Sequence, residues 1–138
     1  MIYGMKKQVM IKKLDTIFSK FIRLRETNEY GRGRCITCGE WFDYEELECG
    51  HFRSRRHLTT RWMEENAHTQ CTECNRKEDI GAYMIAMLNL HGMDVASDII
   101  AKSKVDYKFT KDEYEEMYKH YHKKAKELLK DKMFKVNL

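Results

Sequence analysis

The 138-residue chain contains no proline. Proline-rich linkers, collagen-like repeats and most low-complexity disorder are therefore excluded. Long apolar runs are missing too. The longest lies near Ala82–Leu88, far short of the roughly 18–20 residues that a membrane span needs. Residues 1–10 carry lysines but no apolar stretch or small-residue cleavage site follows them. No secretory signal is readable, and a cytosolic protein with no membrane partner is expected. In that compartment five cysteines do not form a disulfide framework, and an odd count leaves one thiol outside any pairing.

What is present suits one compact domain with helical extensions. Apolar residues make up 42% and charged residues 35%, enough for a core under a heavily charged surface. The net charge of +4 is unevenly spread: residues 1–34 balance to +6, 35–80 to −4 and 81–138 to +2. Within the acidic middle, Arg53, Arg55, Arg56 and Arg61 follow one another with no acid between them. A basic N-terminal arm and an arginine cluster fit a polyanionic partner, although charge runs are commonly just solvated faces.

Residues 9–25 read as an amphipathic helix, with Met10, Leu14, Ile17, Phe18, Phe21 and Ile22 on one stripe. Residues 35–52 read as short β-structure: a knuckle at Cys35–Gly39, with Gly39 free to take positive φ, then a hairpin around Glu45 and Glu46. Residues 53–70 are polar and read as loop. A helix is predicted from Thr72 through Leu88 with Gly92 as its stop, a shorter one over Val95–Lys102, and a last one from Thr110, boxed with Glu113. The Tyr/Met stripe of that last helix could serve a dimer or simply pack in the core.

Four of the cysteines form two Cys-x-x-Cys pairs, Cys35/Cys38 and Cys71/Cys74, with 32 residues between Cys38 and Cys71. Four soft thiolates suit one tetrahedral Zn²⁺, and a full set of protein ligands makes such an ion structural. Buried apolar cysteines or a redox pair are the plainer alternatives. The long segment between the pairs can carry a site of its own. It holds His51, Asn66 and, immediately after Cys74, Asn75.

A histidine, then an asparagine, then an asparagine directly after Cys-x-x-Cys resembles the layout of the HNH, or His-Me finger, nucleases. The strings Phe18–Arg25, Cys35–Gly39, Cys49-Gly-His-Phe52, Thr60-Arg-Trp62, Asn66–Cys71 and Cys74-Asn75 resemble, more narrowly, the phage NinG/Rap recombination endonuclease family. The resemblance implies an α+β fold: a small zinc-stapled ββα core over residues 35–92, a basic helical arm over 1–34 and a helical extension over 93–138. It implies a metal-dependent endonuclease acting on branched DNA such as Holliday junctions and D-loops, in the cytoplasm of a bacterial host. Cutting a two-fold junction symmetrically favours a homodimer.

The chemistry can be assigned residue by residue. A neutral His51 takes a proton from the attacking water. Asn75 offers a hard oxygen to a catalytic Mg²⁺ or Mn²⁺. Glu78, expected one helical turn later on the same face, is a second candidate ligand. Asn66 is expected to orient a loop or the His51 ring. His68 is assigned a supporting role near the site, and His57, His91, His120 and His122 a place at the surface. Arg53, Arg55, Arg56 and Arg61 are candidate phosphate contacts, with Arg61 the one expected to have a specific task. Many HNH sites place Asp before the histidine; here Gly50 stands there. The competing reading is a non-catalytic four-cysteine zinc module that binds nucleic acid.

Overall fold

The computed structural model describes residues 6–138, so the first five residues of the basic arm lie outside the described residues. Helix α1 spans Lys7–Arg25 and buries Met10, Leu14, Ile17, Phe18, Phe21, Ile22 and Leu24, the stripe expected from the sequence plus one residue. Arg23 and Arg25 in its last turn complement the negative end of the helix dipole.

The next elements build the knuckle. Strands β1 (Arg32–Arg34) and β2 (Trp41–Asp43) pair antiparallel, and Cys35–Glu40 form the turn between them. The Gly39 N–H donates to the Cys35 carbonyl at 2.9 Å, and Gly39 has φ +76°, the left-handed conformation that glycine adopts without Cβ strain.

The hairpin expected around Glu45 and Glu46 does not form. Asp43 and Glu46 close a capping box on a 3-10 turn over Tyr44–Glu46, which turns the chain away from β2. Strand β3 (Leu47–His51) pairs instead with β4 (Ala67–Cys71), inside the segment expected to be loop. All five β4 residues are buried, so the strand shows no polar–apolar alternation. Its polar side chains find specific partners: Thr69 Oγ1 donates to the Arg34 carbonyl and Gln70 Nε2 to Thr37 Oγ1. A short helix α2 (Leu58–Arg61) lies between the two strands in sequence.

The long helix expected from Thr72 is two helices. Helix α3 (Thr72–Lys77) ends at Glu78, which takes a left-handed φ of 52°. Asp79 then caps α4 (Ile80–His91) by accepting from the Ala82 N–H at 3.0 Å. Gly92 ends α4, and α5 (Met93–Ser103) follows. Helix α6 (Lys111–Leu129) starts at Thr110 with the predicted capping box to Glu113.

Two cores result. In the larger, α1 lies between α6 and the β3–β4 pair. Phe18 packs edge-on against Tyr121 at 4.9 Å, and the Tyr121 hydroxyl donates to the Trp62 carbonyl. Tyr114, Tyr121 and Ala125 of the α6 stripe are buried there, with Met117 and Tyr118 packed beside them. The smaller core gathers Phe52, Tyr83, Met87 and Ile99 around α4 and α5. The fold is thus α+β, and among the described residues no helix is long and apolar enough to cross a membrane.

Candidate active site and metal centre

The two Cys-x-x-Cys pairs converge. The sulfurs of Cys35, Cys38, Cys71 and Cys74 lie within 4.8 Å of one another, and none is in a disulfide. Each pair is shaped by its backbone: the Cys38 N–H donates to Cys35 Sγ at 3.5 Å and the Cys74 N–H to Cys71 Sγ at 3.4 Å. Burial pushes the Cys35 thiol up, but backbone hydrogen bonds from Cys38, Cys71 and Thr37 outweigh it and hold it at about 7. Burial and neighbouring sulfurs push Cys38 and Cys74 the other way. Four thiols so close ionise together only around a cation. Zn²⁺ with Zn–S bonds of about 2.3 Å implies tetrahedral edges of roughly 3.8 Å, close to this cluster's dimensions. The donor set therefore fits a structural zinc. Cys49 stays out of it, its thiol pushed up to about 12 chiefly by burial.

Strands β3 and β4 and helix α3 form a continuous ββα unit in which Cys71 both ends the second strand and caps the helix. A cleft of about 810 Å³ opens beside it, with His51, Glu48, Asn75 and Glu78 in its wall.

His51 closes β3. Its Nε2 lies 2.8 Å from the Arg61 carbonyl, and a carbonyl only accepts, so Nε2 carries the proton and Nδ1 keeps its lone pair. The described residues give Nδ1 no hydrogen-bond partner. Burial lowers the ring's pKa to about 4, assisted by the charges of Arg55 and Arg61 and partly opposed by the hydrogen bond to Arg61. His51 is thus neutral at pH 7, the form a general base requires.

The Arg61 carbonyl is itself fixed from below. Asp15, on α1, binds Arg61 Nε at 3.1 Å and also Nη2, and accepts from Trp62 Nε1 at 3.0 Å. This corrects the role expected for Arg61. Its guanidinium is engaged by Asp15 and by the Arg55 carbonyl, and its own carbonyl meets the His51 ring. Asp15 was missed because a single acid on a basic helix reads as a solvated charge.

On the other wall Asn75 Nδ2 donates to Glu48 Oε1 at 2.8 Å, leaving the amide oxygen as the free end. Glu48, which also accepts from the Thr72 hydroxyl, is a second residue that sequence reasoning passed over. A carboxylate three residues before a strand-ending histidine was the signal available. Glu78 shares the cleft but is exposed and sits on the break between α3 and α4, not one turn along a helix from Asn75 as expected.

Asn66 orients a loop, one of the two places expected for it, and not the His51 ring. It has no solvent exposure, and its amide bonds the backbone of Arg53 in both directions and the Thr60 carbonyl. It clamps the loop after β3 and does not touch the His51 ring or the cleft. Arg53 donates to Ser103 Oγ on α5, so it too is engaged. Arg55 and Arg56 are exposed at the cleft, with Arg55 3.6 Å from Asp15.

His68 is away from this cleft. It is buried against Glu26 and His91, and His91 is accordingly not the free surface residue expected from the sequence. Gly50 has a spatial reason. A Cβ there would fall 1.9 Å from Gln70 Oε1 and 2.5 Å from its Cδ, so an aspartate before the histidine would displace a side chain tied to Thr37.

Comparison with known families completes the picture. The sequence model of the family described as NinG, Bacteriophage Lambda NinG protein, matches residues 4–131. The chain belongs to the NinG family. The match takes in the four cysteines, the residues of the cleft and the whole of α6 in this NinG member. No curated protein and no solved structure matches the chain.

Proposed function

We propose that this NinG-family chain is a metal-dependent DNA endonuclease of the His-Me finger type, hydrolysing phosphodiesters in branched recombination intermediates. The observation that supports it best is the pairing, across one cleft, of a neutral histidine with an open Nδ1 and an asparagine oxygen oriented by a carboxylate. The ββα unit that presents them is stapled by the four cysteines.

In this reading His51 Nδ1 takes the proton from a water attacking the phosphorus, while its Nε2–H stays on the Arg61 carbonyl. Asp15 holds Arg61, and so the ring, in place. Glu48 aims the Asn75 oxygen at the cation position, with Glu78 at the rim. Bound Mg²⁺ or Mn²⁺ would supply charge neutralisation at the scissile phosphate and the departing 3′ oxygen. Arg55 and Arg56 give salt-sensitive affinity for the backbone. The branched substrate and a dimeric assembly rest on the family resemblance.

The test is Mg²⁺-dependent cutting of a synthetic four-way junction and a D-loop under single turnover. His51→Ala should lower the rate by about 10²–10⁴-fold, the usual contribution of a general base, with zinc content unchanged. Undiminished cutting would remove His51 as the base. Salt-dependent DNA binding without any turnover would favour the non-catalytic zinc module instead.

A further inference from the structure

Two of the arginines expected to grip phosphate are tied up, Arg61 by Asp15 and Arg53 by Ser103. The cleft holds another that fits the task better. Helix α1 lines one side of it with Asp15, Ser19 and Arg23, each one turn after the last. Asp15 marks the His51 end, because it holds Arg61, whose carbonyl meets the ring. Arg23 marks the other end, two turns and roughly 12 Å along the helix axis.

Arg23 is half-buried, and its guanidinium lies on the buried Tyr44 ring, with Cζ 4.4 Å from the centroid. Tyr44 is itself fixed: Phe134 packs on it at 5.5 Å, and its N–H donates to the Gly31 carbonyl at 2.7 Å. Arg23 Nε donates to the Ser19 carbonyl at 3.3 Å. The described residues give its two Nη groups no acceptor and no carboxylate partner. The acids at that end are placed otherwise: Glu48 accepts from Asn75 and Thr72, and Glu45 is exposed. A guanidinium stacked on a fixed ring gives up rotamer freedom before it binds, and its free edge matches two phosphate oxygens.

We propose that Arg23 grips a backbone phosphate of the DNA strand in the cleft, roughly three nucleotides from the phosphate that faces His51. The spacing follows from the separation of roughly 12 Å along α1 and the rise of about 3.4 Å per nucleotide of one strand. The placement rests on the endonuclease reading, since His51 defines the reference phosphate; the contact itself does not. Arg23 thereby sets the register of the strand against His51 and touches no reacting atom.

The test uses the full zinc-loaded chain and a labelled four-way junction without Mg²⁺, so that binding is read without cutting. Arg23→Ala should weaken binding about 10–100-fold and lower the slope of log affinity against log salt by about one. Arg23→Gln, which keeps the stem on Tyr44, serves if the alanine variant melts early. Replacing single phosphates by neutral methylphosphonates should uncover one position with the same loss for the parent chain, and at that position the two changes should not add. With Mg²⁺ restored, the cut should lie about three nucleotides away. Parent-like affinity and slope in the variant, losses that add at every position, or coupling at the cleaved phosphate itself would overturn the proposal. Coupling at one phosphate without any cutting would keep the contact and remove the endonuclease reading.

Discussion

The β3–β4 pair carries one histidine on each strand, and the two are set up differently. His51 leans its Nε2 on a backbone carbonyl, with Arg55 and Arg61 nearby. His68 leans its Nδ1 on an ionised carboxylate. A carbonyl fixes a tautomer without supplying charge, and burial among arginines then disfavours the imidazolium. A carboxylate fixes the other tautomer, with Nε2 as the unprotonated nitrogen. Two rings on paired strands are therefore held in different tautomers by the group behind each. Burial alone does not set the role.

That contrast can be broken most severely by removing zinc. Cys71 ends the strand that bears His68 and pairs with the strand that bears His51, so both rings depend on the staple. Chelation, or Cys38→Ser at an exposed ligand, should abolish cooperative thermal unfolding of the knuckle region. The energy at stake in isolated zinc-finger peptides is about 10–16 kcal/mol. Circular dichroism with parallel metal analysis reads this out, and an unchanged melt would show that the four cysteines are not a staple.

A smaller effect separates the histidines by pH. The pKa of folded His51, about 4, lies below the ordinary histidine value of 6.5. Between those values the unfolded chain binds more protons, so stability rises with pH across this window and is lost as pH falls through it. The contribution is on the order of 2–3 kcal/mol. Melting temperatures measured from pH 4 to 7 should have a shallower slope in His51→Ala than in the parent chain. Equal slopes would mean that the ring is not held neutral.

Next comes the loop that frames His51. Asn66→Ala leaves the Arg53 N–H and the Arg53 carbonyl without their partner, at a cost of about 1–3 kcal/mol. Urea midpoints should register it, with His68 and its partners unaffected. The smallest effect belongs to the surface. Arg56→Ala should reduce the slope of log affinity for DNA against log salt by about one, with no change in melting temperature. A slope that does not move would take Arg56 out of the interface.

How much of this could be read from the chain depended on how local each signal is. The α1 stripe, the knuckle with Gly39 and the Thr110–Glu113 box are set by residues within a few positions of one another, and all are found where expected. Strand β4 was hidden because Ala67, His68, Thr69, Gln70 and Cys71 are all buried, and their polar groups are satisfied by Glu26, Arg34 and Thr37 from distant parts of the chain. The break at Glu78 was hidden because no glycine or proline marks it; Asp79 starts a new helix there. Residue types at the candidate site were legible, but their wiring was not. Asp15 to Arg61, Glu48 to Asn75 and Glu26 to His68 are partnerships only the fold creates.

The clamp at Asn66 has one more consequence. The Phe52 N–H donates to the Asn66 carbonyl, while the Asn66 side chain holds Arg53, so residues 53–65 leave the sheet and return to it at one point. The tip of that excursion, Ser54 to His57 with Arg55 and Arg56, is a bay whose mouth is already closed. Doubling the length of such a loop costs only about 0.6 kcal/mol in closure entropy. Residues can therefore be added to or removed from this bay without shifting the strand register of β3 and β4.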